Sequence, residues 1–232
     1  MRTLKGCHVV ITGGTGALGT TVAAALVEAG AHCHVPAIES SVPADHFPKD
    51  GVSVTTGIDL SNEDSVSGFY AKLPPIHAVV NIAGGFAWAP IADSPAKVLQ
   101  QQLSMNLVSC VLSCREAVAN FRKGGQGGHI VNISARPALN PRQGAGMTAY
   151  TSSKAAVAAF TVALAEELKG DNISVVALAP STIDTPTNRA DMPKANHASW
   201  VTPAAIAELI VAQLGLSDPI NSGSLIPVYG KA

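Results

Sequence analysis

The chain has 232 residues, a formal net charge of −1, 47% hydrophobic residues and only 13% charged ones. That balance supplies a buried core and excludes a disordered chain. The lack of any Lys/Arg run or basic stripe argues against a nucleic-acid partner, and apolar stretches well short of about 18 residues argue against a membrane span.

The opening segment, MRTLKGCHVVITGG, runs straight into strand-like residues, with neither an apolar signal-peptide region nor a small-residue cleavage site. Apolar runs rich in Val and Ile then recur: CHVVIT (7–12), AHCHVP (31–36), VSVTTGI (52–58), HAVVNIA (77–83), HIVNIS (129–134), ISVVALA (173–179) and GSLIPV (223–228). Near-continuous apolarity is how strands covered on both faces read. Helical patterns separate most of them. ALGTTVAAALVEAG follows a glycine-rich turn and stops at Gly30. The long stretch 94–124 opens with Ser94 as cap and Pro95 at the first helical position, ends at Lys123 and Gly124, and can bend or break near Asn106. TAYTSSK (148–154) leads into the alanine-rich helix AAVAAFTVALAEELKG. VTPAAIAELIVAQLG has Thr202 as cap, Pro203 next and Gly215 after. Residues 37–51 carry two prolines and no helical period, so that crossover is expected as a loop.

This order predicts one α/β domain over 1–232, a doubly wound, seven-stranded parallel sheet of Rossmann type with helices on both faces. The cysteines, Cys7, Cys33, Cys110 and Cys114, read as buried free thiols in a reducing cytoplasm. Cys110 and Cys114 fall one helical turn apart, but no His or Cys cluster completes a tetrahedral set, so no metal is expected. His32 and His34 share a strand face and read as ordinary imidazoles rather than ligands.

Chemistry concentrates at a few motifs. In ITGGTGALGTTVAAAL, Gly14, Gly16 and Gly19 fit G-x-G-x-x-G between a strand and a helix. Glycine permits the tight turn and close approach of a pyrophosphate, and the helix N-terminus offers N–H groups and partial positive charge. Asp59, followed by Leu60, ends the third strand, where it either bonds an adenine amino group or serves as a cap or turn residue. NIAGG (81–85) ends the fourth strand with glycines that allow close contact with a ribose. Tyr150 and Lys154 are four apart, hence on one helix face. A free phenol has a pKa near 10; lowering it by about 3 units to exchange protons at neutral pH takes roughly 4 kcal/mol of differential interaction, which an adjacent ammonium and a positive nicotinamide ring can supply. Such a Tyr150 donates a proton in reduction and accepts one in oxidation.

The set T12-G-G-T-G-A-L-G19, N81-I-A-G84 and Y150-T-S-S-K154 resembles the short-chain dehydrogenase/reductase family, through the variant spacing that uses Gly16 rather than residue 17. The resemblance covers essentially the whole chain. GGFAWA (84–89), DTPTNRADMPKANHASW (184–200) and NSGSLI (221–226) are similar to dihydropteridine reductases within it. The resemblance implies dinucleotide contacts at Gly13, Thr15, Gly16, Ala17, Leu18, Gly19, Ala37, Asp59, Leu60, Asn81, Ala83, Gly84, Tyr150, Lys154, Pro180, Ile183 and Thr185. Lys154 is implied to hold the nicotinamide ribose, Ile183 N–H and Thr185 the carboxamide. Asn106 is implied to distort its helix and join a catalytic relay to Lys154. At the family's catalytic serine, NISARP offers either Ala135, by register, or Ser134, by slippage. Loss of the serine is coherent for a quinonoid substrate and costly for an ordinary ketone. Residues 186–200 are expected as a substrate lid, and Phe86, Trp88, Met147 and Trp200 can wall a flat aromatic substrate or simply pack.

The cofactor is NAD or NADP. Ala37 occupies the slot where an acidic residue would contact the ribose; Glu39 can reach it, whereas Ser40 and Ser41 can donate to a phosphate, and the absence of basic residues tips the reading towards NAD. The leading expectation is an NAD(P)H-dependent oxidoreductase acting on a quinonoid or carbonyl group of a planar small molecule. A ketone or 3-oxoacyl reductase using Ser134 and a non-catalytic redox-sensing binder are the alternatives. The resemblance implies a homodimer or homotetramer assembled through helices like 95–122 and 148–169, where the small residues Ala155, Ala156, Ala158 and Ala159 allow close helix approach.

Overall fold

Along β1 (His8–Thr12), Val9 and Ile11 belong to one buried cluster and Val10 to the other, so the strand is covered on both faces. The same alternation runs through β4 (Ala78–Asn81), β5 (Gly128–Ile133) and β6 (Ile173–Pro180), whereas β2 (His32–Pro36), β3 (Val52–Thr55) and β7 (Leu225–Val228) give apolar residues to the first cluster alone. The computed structural model describes residues 3–218 and 220–231. Residues 1, 2, 219 and 232 lie outside the described residues, and with them the very start of the opening segment and the last residue of the expected domain.

The strands form one sheet in the order β3-β2-β1-β4-β5-β6-β7, every neighbouring pair parallel. One face is covered by α1 (Ala17–Glu28) and α8 (Pro203–Leu214), through Val22, Leu26, Ile206 and Ile210. The other is covered by α2 (Glu63–Tyr70), α4 (Ser109–Gly124) and α6 (Thr148–Glu167), through Phe69, Phe121, Val157 and Leu168. Shorter helices, α3 (Ala96–Leu103), α5 (Arg136–Leu139) and α7 (Pro186–Asp191), follow the carboxyl ends of β4, β5 and β6. This is the doubly wound arrangement expected from the alternation of strands and helices.

Two details differ from expectation, and the expected break near Asn106 is present. The helix α2 carries no signal used above, yet Asn62 Oδ1 accepts from Ser65 N at 2.9 Å and Glu63 and Asp64 fill its first turn. Ser94 is not a cap: it closes a 3-10 turn over Ile91–Asp93, and α3 starts after Pro95 with no side-chain cap. The long stretch divides at Asn106, where a π-helical turn spans Ser104–Val108. The crossover 37–51 has no helix, and it leans on the glycine turn: His46 Nε2 lies 3.0 Å from Thr15 O, an acceptor, and so donates to it.

Candidate active site

The winding reverses between β1 and β4, so a crevice opens beyond their carboxyl ends. Gly13 has φ +66°, and a Cβ there would stand 2.7 Å from Ala83 N; glycine is what lets the ends of β1 and β4 come together. A Cβ on Gly19 would collide with the Gly13 carbonyl, so α1 packs directly on the turn. Gly16 is the N-cap of α1, with no side-chain cap and no acid in the first turn. The N–H groups of that turn and the positive end of the helix are left for an anion. Leu18 is buried in the core and Ala17 is exposed, so Leu18 can meet a ligand only through its backbone.

Beside the turn, Thr15 Oγ1 donates to Glu39 Oε1 at 3.0 Å. Ala37 is buried and presents no polar group. Asp59 is exposed, and its Oδ1 accepts from Ser61 N at 2.8 Å and Ser61 Oγ at 2.7 Å; the turn role is the one the structure displays. Leu60 packs against the α2 side of the core. The Asn81 side chain points inward, donating to Asn132 Oδ1 at 2.9 Å and Cys114 Sγ at 3.2 Å, which leaves its backbone for the expected contact. Only the backbone of 81–84 can face a ribose there. Ala83 N is itself held by Thr12 Oγ1 at 3.2 Å.

Opposite stands α6. Lys154 is 5% exposed and its Nζ donates to Ile133 O at 2.9 Å. A Cβ on Gly84 would collide with Asn106 Oδ1 and lie 3.3 Å from that Nζ, so glycine after β4 lets the Asn106 amide and the ammonium pack close to the chain. Ser134 Oγ donates to Lys154 O at 2.9 Å and is buried. This contact fixes the register at the end of β5: Ser134 is turned into the α6 packing, and Ala135 takes the next position. The slipped alignment that would give Ser134 the catalytic role does not match this geometry. Asn106, 1% exposed, grips Gly85 at both ends, accepting from its N at 3.0 Å and donating to its O at 3.1 Å. It also donates to Ser153 Oγ at 3.0 Å. The π-turn thus aims an amide that joins the 84–89 loop to α6, a positioning task that the sequence alone did not reveal, nor did it reveal Ser153.

Phe86 meets Tyr150 edge to face, ring centroids 5.0 Å apart. A Cβ on Gly146 would stand 2.6 Å from Trp88 Cζ2, and Ala89 N bonds Gly146 O at 3.0 Å, so the loop 86–89 is laid over the start of α6, where Met147 is the N-cap. Trp200 packs on His197 with centroids 4.4 Å apart. At the end of β6, Pro180 is buried, Asn188 Nδ2 donates to Ile183 O at 2.8 Å, and Thr185 Oγ1 caps α7 by accepting from Asn188 N at 3.2 Å.

A family model described as short chain dehydrogenase matches residues 7–196. The chain belongs to the short-chain dehydrogenase family. It is 30% identical over 185 residues to a Mycobacterium tuberculosis protein named "Probable oxidoreductase EphD", covering 76% of this chain but 31% of that protein. The chain therefore spans about a third of the mycobacterial relative's length. It is 28% identical to the D-xylose 1-dehydrogenase of Caulobacter vibrioides, over 96% of this chain and 88% of that one. A solved short-chain type dehydrogenase/reductase from Mycobacterium ulcerans superposes with a TM-score of 0.88 at 23% identity, covering 99% of this chain and 90% of that one.

Members of this family use NAD(P), and the cradle fits: glycines where a Cβ would clash, and an uncapped helix end facing the crevice. In this short-chain dehydrogenase without its cofactor, burial pushes the Tyr150 phenol up to about 12; the expected lowering also counts on a bound nicotinamide ring. Burial also pulls Lys154 down to about 8, against a smaller opposing influence of Cys110. In the chain by itself desolvation of the phenolate outweighs the help of an ammonium that is already spent on Ile133 O. Among the described residues no group of three or more His, Cys, Asp or Glu side chains could hold a metal, and no helix is long and apolar enough to cross a membrane.

Proposed function

We propose that this enzyme reduces a carbonyl or quinonoid group on a planar small molecule, with Tyr150 as proton donor. When bound, the reduced nicotinamide supplies the hydride. Tyr150 gives its phenolic proton to the substrate oxygen or ring nitrogen, and Lys154 steadies the phenolate left behind. The observation that carries this reading is the pairing of Tyr150 and Lys154 on the first two turns of α6, with the Gly84 backbone close beside the ammonium. A phenol held at about 12 keeps its proton at neutral pH, as a donor must. Ala135 in the serine position favours an acceptor that needs no hydroxyl donor, and Phe86 against Tyr150 favours a flat one. The similarity to dihydropteridine reductases rests on sequence segments; the relatives named above act, by name, on other compounds or on none specified. Tyr150→Phe should lower turnover of quinonoid dihydropterin or a simple quinone by about 10²- to 10⁴-fold while leaving the Kd for NADH within a few-fold. Turnover unchanged in that variant overturns the assignment.

For the dinucleotide, NAD is the preferred partner in this reading. No Lys or Arg occurs between Lys5 and Lys49, so neither the glycine turn nor the first part of the crossover, 37–48, carries a Lys or Arg to neutralise a 2′-phosphate. Glu39, tied to Thr15, adds a carboxylate beside that turn. Fluorescence titration should give at least ~10-fold tighter binding of NADH than NADPH, the worth of about 1.4 kcal/mol, with Glu39→Gln narrowing the gap; equal affinities in the parent overturn it.

The oligomer belongs here as well. Two copies are proposed to meet through α4 and α6, where Val108, in the π-turn just before α4, and Val162 are exposed at 38% and 45% and Ala159 is exposed as well.

A further inference from the structure

We infer that Arg136 anchors an anionic group of the substrate, so that the compound reduced is a planar carboxylate rather than a neutral molecule. The inference rests on the reductase reading and names its substrate class.

Arg136 directly follows Ala135 at the carboxyl end of β5 and is half-buried. Its guanidinium lies over the Tyr229 ring, 4.6 Å from the centroid. Tyr229 is in turn fixed at the end of β7, where Ser181 Oγ donates to Tyr229 O at 2.9 Å and Ser181 N to Val228 O at 3.0 Å. The neighbouring Lys231 N donates to Ser199 O at 3.2 Å, one residue from Trp200. The arginine therefore sits along the same sheet edge as the crevice, between the vacated serine position and the segment bearing Trp200.

What it lacks is an anion. Among the described residues no ion pair involves Arg136. Asp184, just before the lid, is committed to Arg189, at 2.8 Å through Nη2. The sequence contains no Asp or Glu at all between Glu116 and Glu166, a span that supplies β5, α5, Tyr150 and Lys154, and none after Asp218. Stacking on an aromatic face orients a guanidinium and leaves its N–H edge free, and that edge matches a carboxylate in two parallel hydrogen bonds. A half-buried cation with its plane clasped and its donors unspent, in a neighbourhood stripped of acids, is built for an incoming carboxylate.

The test uses the protein loaded with NADH and two probes, naphthalene-2-carboxylate and its neutral amide, measured by calorimetry. The carboxylate should bind at least ~10-fold tighter than the amide, as a hydrogen bond to a charged group allows. Arg136→Gln should abolish that difference without altering the Kd for NADH, and Arg136→Lys should keep part of it. Equal binding of the two probes, binding of neither, or a preference that survives in Arg136→Gln overturns the inference. A purely structural clasp would instead lower thermal stability in both variants and leave the preference intact. Tyr150→Phe separates the two proposals: if the carboxylate preference holds while that variant reduces substrates as the parent does, the anchor stands and the proton-donor reading falls.

Discussion

Lys154 is the residue at which stability and chemistry conflict. Its ammonium is buried, bonded to Ile133 O, and pulled down to about 8 by desolvation. A lysine whose folded pKa lies below its unfolded one costs stability throughout the pH range below the folded value, and that cost fades as pH rises from about 8 towards the unfolded value near 10.5. Lys154→Met should therefore raise the melting temperature of the cofactor-free protein at pH 7 by roughly 2–8 °C, the equivalent of about 1–2 kcal/mol after allowing for the lost bond, while abolishing turnover. A fall in melting temperature would mean that the ammonium is stabilising and the burial argument is wrong. The same group sets the alkaline limb of reduction: kcat/KM should decline as pH passes about 8, because the charge that steadies the phenolate is lost.

At the scale of elements, α6 does two jobs with its two faces. Tyr150, Ser153, Lys154 and Val157 serve the crevice and the core, while Ser152, Ala159, Val162 and Ala163 face outward and carry no charge. A stripe of small uncharged residues over 152–163, which ends at the exposed Glu166, is suited to close approach of an equivalent helix. Val162→Glu should convert a dimer or tetramer into smaller species by light scattering, with the melting temperature falling as the interface is lost; an unchanged mass in that variant, or a monomeric parent, removes the proposed contact. Elements of this length were legible because their signals are long and redundant: the glycine turn, the Thr202 cap, the apolar strands. The helix α2 was not, since it has eight residues and only Val66, Phe69 and Tyr70 bury; its cap at Asn62 was the available sign. The site divides the same way. Tyr150, Lys154 and the glycines could be read from spacing, but the inward turn of Asn81 and the grip of Asn106 on Gly85 depend on tertiary partners 51 and 21 residues away, which no local pattern encodes.

For the molecule as a whole, the parallel sheet has two unlike edges. All the chemistry gathers at the carboxyl ends, whereas the amino ends of β1, β2 and β4 gather histidines. His8 Nδ1 lies 3.0 Å from His34 Nε2, the rings of His8 and His34 stack at 5.2 Å, His32 sits 5.0 Å from His34, and His77 Nδ1 accepts from His8 N at 3.0 Å. Burial, then the charges of His32 and His8, lowers His34 to about 4, and burial lowers His8 as well. Both shifts are downward from 6.5, so the unfolded chain binds protons first as pH falls, and stability present above about 6.5 drains away towards about 4. For His34 alone the difference amounts to roughly 3 kcal/mol at 1.36 kcal/mol per unit, enough to shift the melting temperature of a protein this size by several degrees. The parent should therefore lose thermal stability steadily between pH 6.5 and 4.5, and His34→Gln should flatten that slope while Tyr150-dependent turnover at pH 7 is unchanged, because the two sites occupy opposite ends of the strands. A slope that persists in His34→Gln would move the acid sensitivity to other groups and leave the histidine cluster as packing.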